Sequence, residues 1–206
     1  MRAIISPAVR ASAILCLLLG LAYPLAVTGL AQLLFPDEAR GSLVARADGT
    51  VIGSRLIGQQ WTGAEWFHGR PSATTRPNPD DPSAMVSAPY NAANSGGSNL
   101  GPSSRELVER LATAREALDR EQPELAGKPI PADALTASAS GLDPDISPAF
   151  AGLQVGRVAR ARGVAPEQVS ALVARHTTGR ALRIFGEPRV NVLELNLDLA
   201  KAYPKP

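Results

Sequence analysis

Cysteine is nearly absent from this chain. Its one thiol, Cys16, can build neither a disulfide framework nor a cysteine-based metal site. The two histidines, His68 and His176, lie far apart in sequence. Aromatic residues make up only 4% of the 206 positions, too few for a surface that stacks single-stranded bases. An excess of one charge is missing as well. The sequence pI of about 9.0 invites a nucleic-acid reading, but Arg2 and Arg10 precede a long uncharged run. Beyond Pro36 the remaining 19 basic residues face 19 acidic ones. A reader of the phosphate backbone needs a concentrated basic face, so no nucleic-acid partner is expected. What is plentiful is apolar character, at 45%, enough for the packed core of one ordinary domain plus accessories.

The apolar residues are unevenly placed. From Ala11 to Pro36 no side chain is charged, and the run ASAILCLLLGLAYPLAVTGLAQLLF exceeds the length that a helix needs to cross hydrocarbon. A cleaved secretory signal is the rival reading, with Gly29-Leu30-Ala31 as its exit site. Against it, apolar character continues through Leu33, Leu34 and Phe35. An uncleaved anchor over residues 11–36 is expected. Arg2 and Arg10 before the run, with Asp37 and Glu38 after it, put residues 1–10 in the cytoplasm and residues 37–206 outside. Within the span, Tyr23-Pro24 frees a backbone carbonyl, and Thr28 and Gly29 allow close approach of another helix. These four residues are the candidates for packing against other membrane helices; a tolerated kink is the alternative.

The outer region reads as α+β, with strands first and helices after. Leu43 to Ile57 alternates around Asp48-Gly49, a hairpin signal. Trp61, Trp66 and Phe67 form an aromatic corner of the core, or else a surface that rests on the membrane or a partner. Residues 74–102, rich in Pro, Asn, Ser, Gly and Asp, read as one long loop. Ser103 and Glu106 have capping-box spacing, and Leu107, Leu111, Ala114 and Leu118 then share a helical face. After an irregular stretch at 136–148, Ser147 caps a helix begun by Pro148 and closed by Gly163. Pro166 opens another, with Val169, Leu172, Val173 and His176 inward. Leu193, Leu195, Leu197 and Leu199 alternate like a strand, but Asn191 and Glu194 make a helix-start pair, which favours a last helix preceded by a short strand at Arg189-Val190.

Catalytic kits fail the test of spacing. GGSNLGPS, residues 96–103, fits a phosphate-binding loop except that Pro102 stands where lysine must reach the phosphates. Proline offers neither charge nor N–H. Ser98 sits in a near match to the nucleophile elbow, with Leu100 in place of the final glycine; His176 and Asp143 can be imagined as its partners, but nothing local ties them together. Asp143 and Asp145 flank Pro144 and read as turn formers before they read as a cation cage. Asn91, Asn94, Ser95, Ser98 and Asn99 offer oxygen for a loosely held monovalent cation or for a partner's backbone.

Several stretches then match a known family in order: GLAYPLAVTGLAQLLFPDEARGSL, LIGQQW with FHGRPSA, YNAANSGGSNLGPSS, LTASASGLDPDISP and GEPRVNVLELNLDL. Together, over nearly the whole chain, they resemble the C subunit of the Kdp-type potassium-transporting ATPase. The signature loops comprise Tyr90, Asn91, Ser95, Gly96, Gly97, Ser98, Asn99 and Gly101, then Thr136, Ser138, Gly141, Leu142, Asp143, Pro144, Ile146, Ser147 and Pro148. The resemblance implies a non-catalytic accessory subunit of the bacterial inner membrane. Its partners would be a channel-like potassium-binding subunit, a P-type ATPase subunit and a small hydrophobic subunit. ATP and potassium would belong to that complex, with no cofactor held by this chain. A stand-alone anchored binding module or hydrolase is the competing class.

The resemblance also implies a catalytic chaperone that raises the ATPase subunit's affinity for ATP. An outer domain cannot touch a cytoplasmic nucleotide, so any such effect is expected to run through Tyr23-Pro24 and the partner helices. Gln154, beside the second signature, is the residue to test for a nucleotide role. Two departures stand out: Asp145 occupies a position where the family pattern leads one to expect histidine, and the loop from Thr74 to Pro89 is longer than usual.

Overall fold

A computed structural model describes residues 2–46 and 48–204, which divide into two compact units meeting at Ser54/Arg55. The first unit is dominated by helix. Helix α1 (Arg2–Leu17) runs into a π-helical turn at Leu18–Ala22, and α2 (Tyr23–Leu34) continues from it. The cause of the wide turn lies next to it. Pro24 has no N–H to give to the carbonyl of Gly20, and the chain relaxes so that the Tyr23 N–H reaches Leu18 O instead. Helix therefore begins well before Ala11, and Arg10 rides on it with its guanidinium donating to Ser6 Oγ at 2.9 Å. The stretch Ile4–Leu34 is long and apolar enough to cross a membrane, and its leucines and isoleucines are exposed throughout. Phe35 leaves helical geometry, and Pro36 starts a single turn, α3 (Pro36–Ala39).

The hairpin expected around Asp48-Gly49 is present. Strands β1 (Leu43–Ala45) and β2 (Val51–Ser54) pair antiparallel with a bulge between Val44 and Ala45. Asp48 Oδ1 accepts from the Thr50 N–H at 2.9 Å, and Gly49 takes the positive φ that the turn demands.

The second unit is the α+β domain. Residues 74–102 are not one loop: they contain a two-stranded ribbon, β3 (Thr75–Pro77) with β4 (Met85–Ser87). Strands of three residues are too short to show an apolar period, and the connection is built by local side chains instead. Asn78 Oδ1 accepts from Asp80 N, and Asp81 Oδ1 from Ser83 N. Helix α4 (Arg105–Glu121) follows. Its N-cap is Ser104, whose side chain makes no capping bond, so the box expected from Ser103 and Glu106 does not form. The apolar face is as expected: Leu118 is buried, with Leu107, Leu111 and Ala114 half-buried.

The core lies further along. Strand β5 (Asp145–Ile146) pairs with the central strand β7 (Arg189–Asn191), whose other edge takes β6 (Thr177–Thr178). Helices α5 (Pro148–Arg162), α6 (Pro166–Arg175) and α7 (Val192–Ala202) pack with this small sheet. Phe67, Ile146, Ala151, Val158, Val169, Leu172, Val190, Leu195 and Leu199 join in one cluster. The helix ends obey local chemistry. Ser147 Oγ accepts from the Phe150 N–H with Pro148 at the first position, and Gly163 closes α5 in the left-handed region. Asn191 Oδ1 accepts from the Glu194 N–H at 3.1 Å.

Candidate functional site

The two signature loops meet. Around them runs a lattice of short polar contacts centred on the segment 70–75. Arg70 Nη1 donates to Asp143 Oδ2 at 3.0 Å, while Arg70 O accepts from the Tyr90 hydroxyl at 2.7 Å. Ser72 Oγ donates to Gly141 O at 2.8 Å and accepts from the Tyr90 N–H at 3.0 Å. Thr74 Oγ1 donates to Ala88 O and accepts from the Asn91 N–H. Asn91 and Asn94 both donate through Nδ2 to Thr75 O. The glycine-rich stretch then crosses to the second loop, where Gly96 N–H and Ser95 Oγ both donate to Ser140 O.

Two glycines explain the need for their residue type here. A Cβ on Gly97 would lie 2.8 Å from Ala139 O, and one on Gly58 would lie 2.6 Å from Asp143 O and against the Tyr90 ring. Gly141 adds a positive φ. Tyr90 is itself left-handed, at φ 59, and burial together with the nearby Asp143 carboxylate raises its phenol to about 12. It stays a hydrogen-bond donor at any physiological pH.

The rest of the signature is distributed by role. Pro144 O accepts from Val192 N–H, Ile146 is buried in the core, and Ser147 with Pro148 begins α5. Ser138 and Leu142 are buried, and Leu142 O accepts from Gly58 N–H. Thr136 Oγ1 donates back to Ala132 O. Ser98 and Thr136 line an open cleft of about 630 Å³ beneath α4, and Asn99 and Gly101 are exposed. Ser98, His176 and Asp143 do not form a triad. His176 pairs with Asp198 at 2.9 Å, and Asp143 is engaged by Arg70. Asp143 and Asp145 each hold a separate arginine, Arg70 and Arg189, and Asp143 Oδ1 accepts from the Asp145 N–H as a turn former does. On the membrane helix, Tyr23, Pro24, Thr28 and Gly29 are exposed, and a Cβ on Gly29 would meet nothing within 4 Å.

Gln154 belongs to a second network that sequence reasoning missed. The segment 66–68 runs through the core without a neighbouring strand, and two side-chain amides stand in for one. Asn196 accepts from the Phe67 N–H and donates to the Phe67 carbonyl, both at 2.9 Å. Gln154 does the same for His68, at 2.7 and 3.0 Å. Gln154 is 1% exposed, and its Oε1 also accepts from Arg157 Nη2 at 2.7 Å. Arg157 in turn donates to the carbonyls of Ala64 and Trp66. Phe67 of the aromatic corner is fully buried, while Trp61 and Trp66 are half-buried with ring centroids 4.9 Å apart, and the Arg162 guanidinium stacks over Trp66 at 4.5 Å. Arg70, Ser72 and Thr74 also escaped the candidate residues. Arg70 and Ser72 lie inside the FHGRPSA stretch and Thr74 directly follows it, and that membership was the signal that could have found them.

A long apolar helix joined to an α+β domain whose motif residues brace one another defines a membrane-anchored domain, built from loops that hold a shape. Comparison with known proteins sharpens this. The family model described as KdpC, the K+-transporting ATPase c chain, matches residues 5–201. A potassium-transporting ATPase KdpC subunit of Methylobacterium nodulans is 60% identical over 185 residues, 90% of each chain. KdpC subunits of Bradyrhizobium diazoefficiens and Rhodopseudomonas palustris are 55% and 57% identical over 201 residues, 98% of each chain. The chain belongs to the KdpC family.

Proposed function

We propose that this chain is the non-catalytic accessory subunit of an ATP-driven potassium importer. It holds the channel-like potassium-binding subunit and the P-type ATPase subunit together, with the small hydrophobic subunit alongside. The observation that carries this reading is the use made of the signature residues. Tyr90, Asn91, Ser95 and Asp143 hydrogen-bond within the chain, alongside Arg70, Ser72 and Thr74. Polar groups arranged for substrate would be left free to converge on it; these are used to rigidify a surface.

The anchor crosses the bilayer within residues 11–36, with residues 1–10 in the cytoplasm and residues 37–206 outside, as the flanking charges direct. The effect on ATP affinity is then indirect. It passes through the membrane helix, whose π turn at Leu18–Ala22 leaves a locally irregular surface for neighbouring helices. Reporter fusions placed after Pro206 test the arrangement, one active only in the cytoplasm and one only outside. An outside C-terminus is expected. A cytoplasmic one overturns the orientation and makes direct nucleotide contact by the signature loops the leading explanation.

A further inference from the structure

Two cavities lie under one helix. The open cleft of about 630 Å³ beneath α4 has Leu107, Leu111 and Ala114 on the helix side, with Pro71, Ala73 and Leu135 among the residues opposite. A second space of about 390 Å³ adjoins it, sharing Pro71, Ser72, Ala114 and Ala117. The larger alone has room for on the order of twenty waters. Closing it returns those waters to bulk and joins apolar walls, a favourable change.

Helix α4 is held at one end. Among the described residues, side chains of residues 105–114 bond only inside the helix, Arg110 to Glu106 at 3.2 Å and Thr113 Oγ1 to Glu109 O at 3.0 Å. The polar attachments belong to its last two turns. Arg115 donates to Lys128 O and to Leu125 O, each at 2.8 Å. Leu118 is buried, and Glu121 faces the buried Arg157 at 3.4 Å and His68 at 3.5 Å. The chain entering the helix is a tether. Ser95 and Gly96 are pinned to Ser140 O, but among the described residues 98–103 bond to no other element. At the far end Pro123 begins a separate turn, so no continuing helix resists a tilt.

We propose that α4 is a lid that tilts about Leu118 and closes on the cleft, carrying the end of the first signature loop with it and so setting the surface offered to the other subunits of the pump. With a rise of about 1.5 Å per residue, a tilt of about 15° moves Arg105 by about 5 Å and Glu121 by about 1 Å. That travel brings Leu107 and Leu111 toward Leu135 and Ala73, while the long side chains of Arg115 and Glu121 follow without letting go. The group that fills the cleft is therefore the inner face of α4 itself. The effect on assembly rests on the accessory-subunit reading; the tilt does not.

Spin-label distance measurements on the full-length chain, with Cys16→Ser, read the tilt. Labels at Arg105→Cys and at Glu167→Cys on α6 form the test pair; Arg120→Cys with Glu167→Cys is the control. Two maxima separated by up to about 5 Å are expected for the first pair and a single one for the second. One narrow maximum for both pairs overturns the lid. Equal spread in both also overturns it, since the helix is then loose and not hinged. Leu111→Cys with Leu135→Cys locks the lid, and oxidation should bridge them. In the purified pump the bridged chain should exchange with labelled wild-type chain about threefold more slowly than its reduced form, because its surface is already ordered. No bridge in a folded variant overturns closure; a bridge with unchanged or faster exchange overturns the control of assembly. If the wild-type chain co-purifies with no pump subunit, the accessory reading fails and the assembly role with it, while the label distances still decide the lid.

Discussion

Gln154 is the residue whose removal most directly examines how the domain is held. Its amide makes three hydrogen bonds, two to the backbone of His68 and one from the Arg157 guanidinium, in a position closed to solvent. Gln154→Ala leaves a backbone N–H and C=O without their partner and weakens the hold on a charged side chain. A buried group stripped of its partner costs about 1–3 kcal/mol, and bonds to charged groups lie toward the upper end. Allowing for water entering the space, the expected loss is about 4 kcal/mol, a large part of the roughly 5–15 kcal/mol that keeps a domain folded. Gln154→Met has nearly the same volume and separates hydrogen bonding from packing; it should lose about 3 kcal/mol. Urea unfolding of the full chain in detergent, followed by the fluorescence of Trp61 and Trp66, reads both variants. A loss below about 1 kcal/mol in each would refute the view that amide side chains replace a missing strand. If stability holds while the assembled pump loses apparent affinity for ATP, Gln154 acts on nucleotide and not on the fold.

Other perturbations probe the remaining parts. Pro24→Leu restores an N–H, should convert the π turn to α-helix, and should weaken assembly or potassium-stimulated ATPase activity; unchanged activity counts against coupling through this turn. Gly97→Ala drives a Cβ toward Ala139 O and should lower stability by about 1–3 kcal/mol, measured as a shift in urea midpoint. Tyr90→Phe removes only the bond to Arg70 O and should lose about 1 kcal/mol, with a negligible change arguing that the lattice does not depend on it. Burial, and next the Arg157 charge, hold the His68 imidazole below its ordinary 6.5. The folded chain thus takes up protons less readily than the unfolded chain, so stability is complete above pH 6.5 and declines on acidification below it. His68→Gln should flatten that decline, and an unaltered slope would assign it to other groups.

Much of this molecule was legible in one dimension because its causes are local. An uncharged run of this length is long and apolar enough to cross a membrane by composition alone, and Pro24 acts on the turn beside it. The caps at Ser147 and Asn191 and the left-handed Gly163 need only a few neighbouring residues, so their positions could be read directly. The family resemblance was equally readable, since it rests on motifs in order. Local rules failed where a competing partner was near. Ser103 and Glu106 had the spacing of a box, yet the chain turns at Ser104. The ribbon at Thr75–Pro77 and Met85–Ser87 was hidden because strands so short carry no period.

What tertiary structure alone decided is which distant residues share a partner. The sequence shows Asn196 and Gln154 as ordinary polar positions on helices. Only packing reveals that they complete the backbone of Phe67 and His68, across separations of 129 and 86 residues. Arg70 and Asp143 are likewise brought together across 73 residues, and with Tyr90 they join the two signature loops into one surface. Hydrophobic burial sets where segments lie, without direction. The hydrogen bonds those segments then owe in a dry interior select the exact partners, and that selection exists only once the chain is folded.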